Sequence, residues 1–139
     1  MGPEISLGVS GGTTMKNLLF SFQGRINRAK FWLTSIAVSV VYCVIIGILF
    51  GGAAMSADPT NALASVGVIG GIVVLVLIIA MTWIGLALGV KRWHDRNKSG
   101  WWVLIAFVPV IGGLWYLVEC GFLKGTTGAN TYGADPLAT

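Results

Sequence analysis

Residues 91–102 read KRWHDRNKSGWW. Lys91, Arg92, Arg96 and Lys98 surround one acid, Asp95, and the only histidine in the chain, His94. Ser99-Gly100 and the pair Trp101-Trp102 follow. No other stretch is so dense in charge, and it separates two long apolar runs. A cationic cluster between apolar runs, closed by an aromatic pair, is the pattern of a short loop at a membrane surface.

Composition supports that reading. Of 139 residues, 55% are hydrophobic and 10% charged, against about 25% charged in a typical soluble domain. So few charges cannot cover a soluble surface, and the mean hydropathy of +0.83 agrees. The net charge of +4 would point a soluble protein towards nucleic acid. Here the cations flank apolar spans, which points to the lipid bilayer and its anionic head groups, with no nucleic acid. Cys43 and Cys120 both sit in apolar surroundings, so no disulfide framework is implied.

Upstream of the first apolar run, residues 1–14 are rich in Gly, Ser and Thr and are expected to be a disordered head. Met15 is the more natural start, so the head is read as a remnant or an over-extended start. In residues 15–30, MKNLLFSFQGRINRAK, Leu18, Phe22 and Ile26 are spaced by four. That spacing predicts a short amphipathic segment in the interface, apolar face down, broken at Gly24. Asn27 is placed to cap a helix starting at Arg28.

Three apolar spans are expected, at residues 31–52, 62–90 and 101–123, within a single membrane domain of residues 15–139. The first would rise about 33 Å as a helix, enough to cross a hydrocarbon core of about 30 Å. Asp58-Pro59 marks the turn after it. Gly47 with Gly51, Gly67 with Gly71, and Gly85 with Gly89 recur at the spacing that lets helix backbones approach. Packing within the monomer and contact in a homo-oligomer both fit this pattern. In the third span Pro109 is expected to kink the helix. Glu119 lies near its far end, where it could reach water or pair with Lys124. Eight of the nine Lys and Arg residues then share one side, which the positive-inside rule makes cytoplasmic. The N-terminus is expected inside and the C-terminus outside. The competing topology is a re-entrant hairpin that reverses at residues 109–113 and returns the tail to the cytoplasm. It is disfavoured because each leg would be only about 12–15 Å long.

The fold class is thus an all-α membrane protein. It has three transmembrane helices, an N-terminal amphipathic interfacial segment and an irregular C-terminal tail. No cofactor is implied. His94, Cys43 and Cys120 are the only soft ligands, and a single helical span would put Cys120 far from His94, so neither a metal site nor a Cys-His nucleophile is expected. His94 and Asp95 are sequence neighbours and point in different directions on a helix, so they form no dyad by adjacency. Arg25, Arg28, Arg92, His94, Asp95 and Arg96 are the candidate site for an anionic lipid head group or a partner. The expected function is non-enzymatic association with lipid, with itself or with another membrane protein. The alternative is a small oligomeric transporter or channel, for which the spans offer few polar groups: Ser35, Ser39, Thr82 and Glu119.

Four blocks resemble a known family. Gly24-Arg25-Ile26-Asn27-Arg28-Ala29-Lys30-Phe31-Trp32 is similar to the entry motif of the bacterial membrane family known as domain of unknown function 805. Lys91-Arg92-Trp93-His94-Asp95 with Ser99-Gly100-Trp101-Trp102 resembles its central signature, with Lys91 and Trp93 replacing Arg and Leu. Residues 108–112 and the tail from Gly125 to Pro136 also match, though the family usually has Pro where Thr127 and Ala134 stand. The resemblance implies a bacterial inner-membrane protein and implies no reaction.

Overall fold

The computed structural model describes residues 14–55, 58 and 61–138, and among these the regular elements are helical. The expectation for residues 1–13 and Pro59 of the predicted turn fall outside them.

Thr14 starts helix α1 (Met15–Phe20), its hydroxyl accepting from the Asn17 amide at 3.3 Å. The expected break comes at Gly24, which has φ +87°. Asn27 then caps helix α2 (Arg28–Ala54), its side-chain oxygen accepting from the Lys30 amide at 2.8 Å. Leu18 and Ile26 are buried and Phe22 packs beside them. The apolar face of this segment is therefore turned onto protein, not down into lipid as expected. The reason is that α3 offers it a complementary apolar surface.

Helix α3 (Ala62–Asp95) has 34 residues and is interrupted at Gly67, so its unbroken run, residues 68–95, is about 42 Å of helix. Phe31 at the start of α2 shares a core with Leu88, Val90 and Trp93 near the end of α3, so the two long helices run antiparallel. α3 does not stop at Val90. Lys91, Arg92, His94 and Asp95, read from sequence as loop, form its last turns. The helix ends where Asn97 turns left-handed at φ 57°, a conformation Asn tolerates better than most residues.

The stretch at residues 101–123 is not one continuous helix, which corrects the three-helix expectation. Ser99 caps a 3₁₀ leg, Gly100–Phe107. A second leg, α4 (Ile111–Tyr116), runs on into a π-helical turn, Leu117–Phe122. Between them the chain reverses. Val110 has φ 65° and ψ −63°, and the Ile111 amide donates to the Pro109 carbonyl at 2.8 Å. This is a γ-turn with positive φ, a strained form. Pro109 therefore serves a reversal, not a kink. The turn leaves little backbone to bury: Pro109 has no N–H, and the amides of Val108, Ile111 and Gly112 all donate within it. Gly112 lets the legs touch, because a Cβ there would run into the Ile105 carbonyl oxygen.

Of the six paired glycines, Gly89 alone is packed. A Cβ on it would lie 2.5 Å from the Tyr116 hydroxyl and 2.9 Å from Val103. A Cβ at Gly47, Gly51, Gly67, Gly71 or Gly85 would meet open space, so those five do not pack helices together within the chain. Gly67 instead carries a backbone break inside α3, at φ 65° and ψ −174°.

Candidate functional site

The charged residues converge where α2 begins and α3 ends. Arg92 and Asp95 are three apart on the last turns of α3, so they share a face and form an ion pair. Arg25, delivered by the turn at Gly24, reaches the other oxygen of Asp95 at 3.0 Å. Arg92 is 0% exposed and Asp95 4%. Buried charges of this kind are tolerable only when their remaining hydrogen-bonding positions are filled.

Main-chain oxygens fill them. Arg92 donates to the carbonyls of Cys120 at 2.6 Å, Ile26 at 3.1 Å and Leu123 at 2.8 Å. Arg25 donates to Thr126 at 2.6 Å, Gly128 at 2.7 Å and Gly133 at 3.2 Å. The Thr126 amide in turn donates to the Asp95 carbonyl at 2.6 Å. Gly125 must be glycine, since a Cβ would collide with the Asp95 carboxylate. Lys91, also buried, donates to the Asn17 and Leu18 carbonyls at 2.5 and 2.6 Å, holding α1 against α3.

A second cluster closes the hairpin. Glu119 accepts from Arg96 at 2.9 Å and Lys98 at 2.7 Å. The Lys98 ammonium also lies 5.4 Å from the ring centres of both Trp93 and Trp102. Arg96 donates to the Lys124 carbonyl at 2.8 Å and Arg28 to that of Phe122 at 2.8 Å. Glu119 and Cys120 thus lie beside the cationic cluster. The sequence reading put them at the opposite end, because it assumed an unbroken helix.

His94 points away from Asp95, as neighbours on a helix must. Its Nδ1 lies 3.1 Å from the Gly24 carbonyl. A carbonyl only accepts, so Nδ1 carries the proton. The Tyr132 ring stacks on the imidazole at 4.0 Å and 5°. The Asn130 side-chain Nδ2 donates to the His94 carbonyl at 2.8 Å, and the Asn97 side-chain Oδ1 accepts from the Thr131 backbone amide at 3.2 Å. The tail is irregular, as expected, with one bridge between Asn130 and Gly133. It is nevertheless clamped along its length.

The structure therefore brings Arg25, Arg92 and Asp95 into one network, with Arg96 and Arg28 beside it and His94 on its flank. The Arg25 and Arg92 donors are spent largely on this chain. The sequence reading missed Glu119 and Lys91 as members, and put Tyr132 in reach of Arg92 or Arg96 only under the re-entrant hairpin, where the structure stacks it on His94 instead. Among the described residues no cluster of three His, Cys, Asp or Glu side chains could hold a metal ion.

The family described as "Protein of unknown function (DUF805)" matches residues 19–134. The chain belongs to the DUF805 family. It is 30% identical to the inner membrane protein YhaH of Escherichia coli (strain K12) over 88% of this chain and 91% of YhaH. It is 52% identical to the inner membrane protein YhaI of the same organism over 37% of this chain. That match spans 42% of YhaI, under half of its length. The uncharacterized protein YiiR is 27% identical over 88% of this chain and 90% of YiiR. No solved structure matches. The matched region runs from the end of α1 to the tail and so contains every charged side chain of the network described above. Inner-membrane relatives and two helices long and apolar enough to cross a bilayer, Arg28–Gly52 and Val66–Asp95, support a location in the inner membrane.

Proposed function

We propose that this DUF805 protein is a non-enzymatic inner-membrane protein that acts by associating with lipid. In this reading α2 and α3 cross the bilayer and the hairpin from Gly100 to Phe122 re-enters from the cytoplasmic side. Both ends of the chain then lie in the cytoplasm. The observation that carries the topology is the grip of Arg25 on the Thr126, Gly128 and Gly133 carbonyls, which ties the tail to the start of α2. With the tail there, Lys124 joins Arg96 and the cations around it, since Arg96 donates to the Lys124 carbonyl, a better fit to the positive-inside rule than the three-span count, which leaves Lys124 on the opposite side.

Non-enzymatic action is supported by the pairing of the buried charges with one another and with main-chain oxygens, rather than with an open cleft. Exposed cations, Lys16, Arg28 and Lys124 among them, suit anionic head groups, at about 1 kcal/mol each before screening. A small oligomeric transporter would need polar groups at membrane depth. Glu119, the one carboxylate in the apolar stretches, is spent on Arg96 and Lys98.

The test is Ala138→Cys in a background lacking Cys43 and Cys120, treated on intact cells with a membrane-impermeant thiol reagent. Labelling only after lysis is expected. Labelling before lysis would put the tail outside and overturn the topology. For lipid, Lys16→Gln, Arg28→Gln and Lys124→Gln together should lower retention of anionic phospholipid in native mass spectra, and unchanged retention would count against that role.

A further inference from the structure

An apolar groove of about 530 Å³ lies beside the charge network, between α3 and the 3₁₀ leg. Leu86, Val90 and His94 form its floor. They are spaced by four on one face of α3, so the groove runs about 12 Å along the helix. Val103 and Leu104 make the facing wall, and Tyr132 of the tail closes the polar end. Its volume is in the range of small-molecule sites, roughly 300–1,000 Å³. One end lies at the level of the charged head and the other in the apolar body, which is the shape that takes an amphiphile lengthwise.

The polar end selects among amphiphiles. Among the described residues no Lys, Arg, Asp or Glu lines the groove, so a charged head group would find no counter-charge from them there. The lining offers His94, Ser99 and Tyr132 instead. Because His94 Nδ1–H is committed to Gly24, Nε2 is a lone-pair acceptor. It faces the Gly100 wall: a Cβ on Gly100 would lie 3.3 Å from Nε2 and 2.7 Å from Val90. Glycine at this point keeps the acceptor reachable, and Tyr132 fixes the ring plane from the other side. An acceptor at the end of an apolar slot is satisfied by a donor. Phosphate diesters, esters and ethers have none to give, whereas a hydroxyl has one.

We infer that this groove binds a single uncharged long-chain alcohol, its chain along Leu86 and Val90 and its hydroxyl donating to His94 Nε2. The inference rests on the reading of the chain as a lipid-associating membrane protein and names the lipid class for one site.

The experiment uses the full chain in a mild detergent with hexadecan-1-ol bearing a mid-chain diazirine. Photolabelling is expected on Leu86, Val90, Val103 or Leu104. Unlabelled hexadecanol should compete at concentrations at least tenfold lower than hexadecyl phosphate or hexadecyl methyl ether. Leu104→Trp, at a half-exposed rim position, should cut labelling about tenfold. His94→Phe, which keeps a flat ring to stack on Tyr132, should erase the preference of alcohol over ether. An ether that competes as well as the alcohol overturns the inference, and water then satisfies Nε2. Labelling indifferent to Leu104→Trp overturns it too. Should that variant unfold, the competition on the unsubstituted chain still decides. Hexadecyl phosphate winning over the alcohol breaks this inference alone, whereas labelling of Ala138→Cys from outside breaks the topology alone.

Discussion

The two ends of the α2–α3 pair are built on different physics. At the charged end Trp93 and Arg92 are fully buried, and guanidinium groups reach across the chain to carbonyls. At the other end Ile48 is 76% exposed, Val68 81% and Met55 89%, and Gly47, Gly51, Gly67 and Gly71 open onto empty space. One end is held by its own chain. The other needs only apolar length, because in a bilayer lipid is its solvent. Sequence change should therefore be costly at the first and cheap at the second.

The largest effect should come from Asp95→Asn. It strands two buried guanidinium groups without a counter-charge, a loss of about 3–5 kcal/mol. Thermal unfolding in detergent should fall sharply, and the tail should become sensitive to protease. An unchanged melting temperature would erase the contrast between the ends. Next, Gly112→Ala drives a methyl into the Ile105 carbonyl and should cost about 1–3 kcal/mol by forcing the two legs apart, read from the same melt. Val110→Gly should act in the opposite direction. It releases a β-branched residue from positive φ, a strain of about 1–3 kcal/mol, partly offset by the added freedom of the unfolded chain. A melting temperature that falls would show the turn is not where strain is held.

At the far end, Gly47→Ala with Gly51→Ala should change stability by no more than about 0.5 kcal/mol. A larger loss, together with loss of an oligomer in native mass spectra, would show that a second copy covers this face. The smallest effect is a pH dependence in the tail. Hydrogen bonds from the Leu137 and Gly128 amides hold the Asp135 carboxyl below its ordinary value of 3.8. Its folded pKa is the depressed one. Its contribution is thus full above the unfolded value and is lost as pH falls through the folded value. Amide exchange at Gly128 should quicken only in that acid window, and Asp135→Asn should abolish the dependence.

Local features were legible in the sequence. The Asn27 and Ser99 caps, the break at Gly24 and the divergence of His94 from Asp95 depend on residues a few positions apart. The partners of the cations were not legible, because most are main-chain carbonyls, which every residue carries. Length also misled. Residues 101–123 are apolar enough to span, and nothing in their hydropathy distinguishes a span from two legs. The decisive chemistry is one carboxylate, Glu119, whose partners Arg96 and Lys98 lie more than twenty residues upstream. Pro109 marked the place of the break correctly but not its size.

Arg25 is made early, and the carbonyls that enclose it come 101, 103 and 108 residues later. Synthesis runs from the N-terminus, so α2 and α3 emerge while Arg25 and Arg92 still lack their last partners. During that interval both are open charges, which is the form in which cations orient a nascent span. Arg92 needs the chain only as far as Leu123, whereas the carbonyls around Arg25 are complete only when Gly133 has left the ribosome. On the proposed topology the same guanidinium groups act twice in the life of one molecule, first as exposed signals to the insertion machinery and afterwards as its innermost fasteners. On that topology a chain cut short before residue 126 would insert and still never close around Arg25.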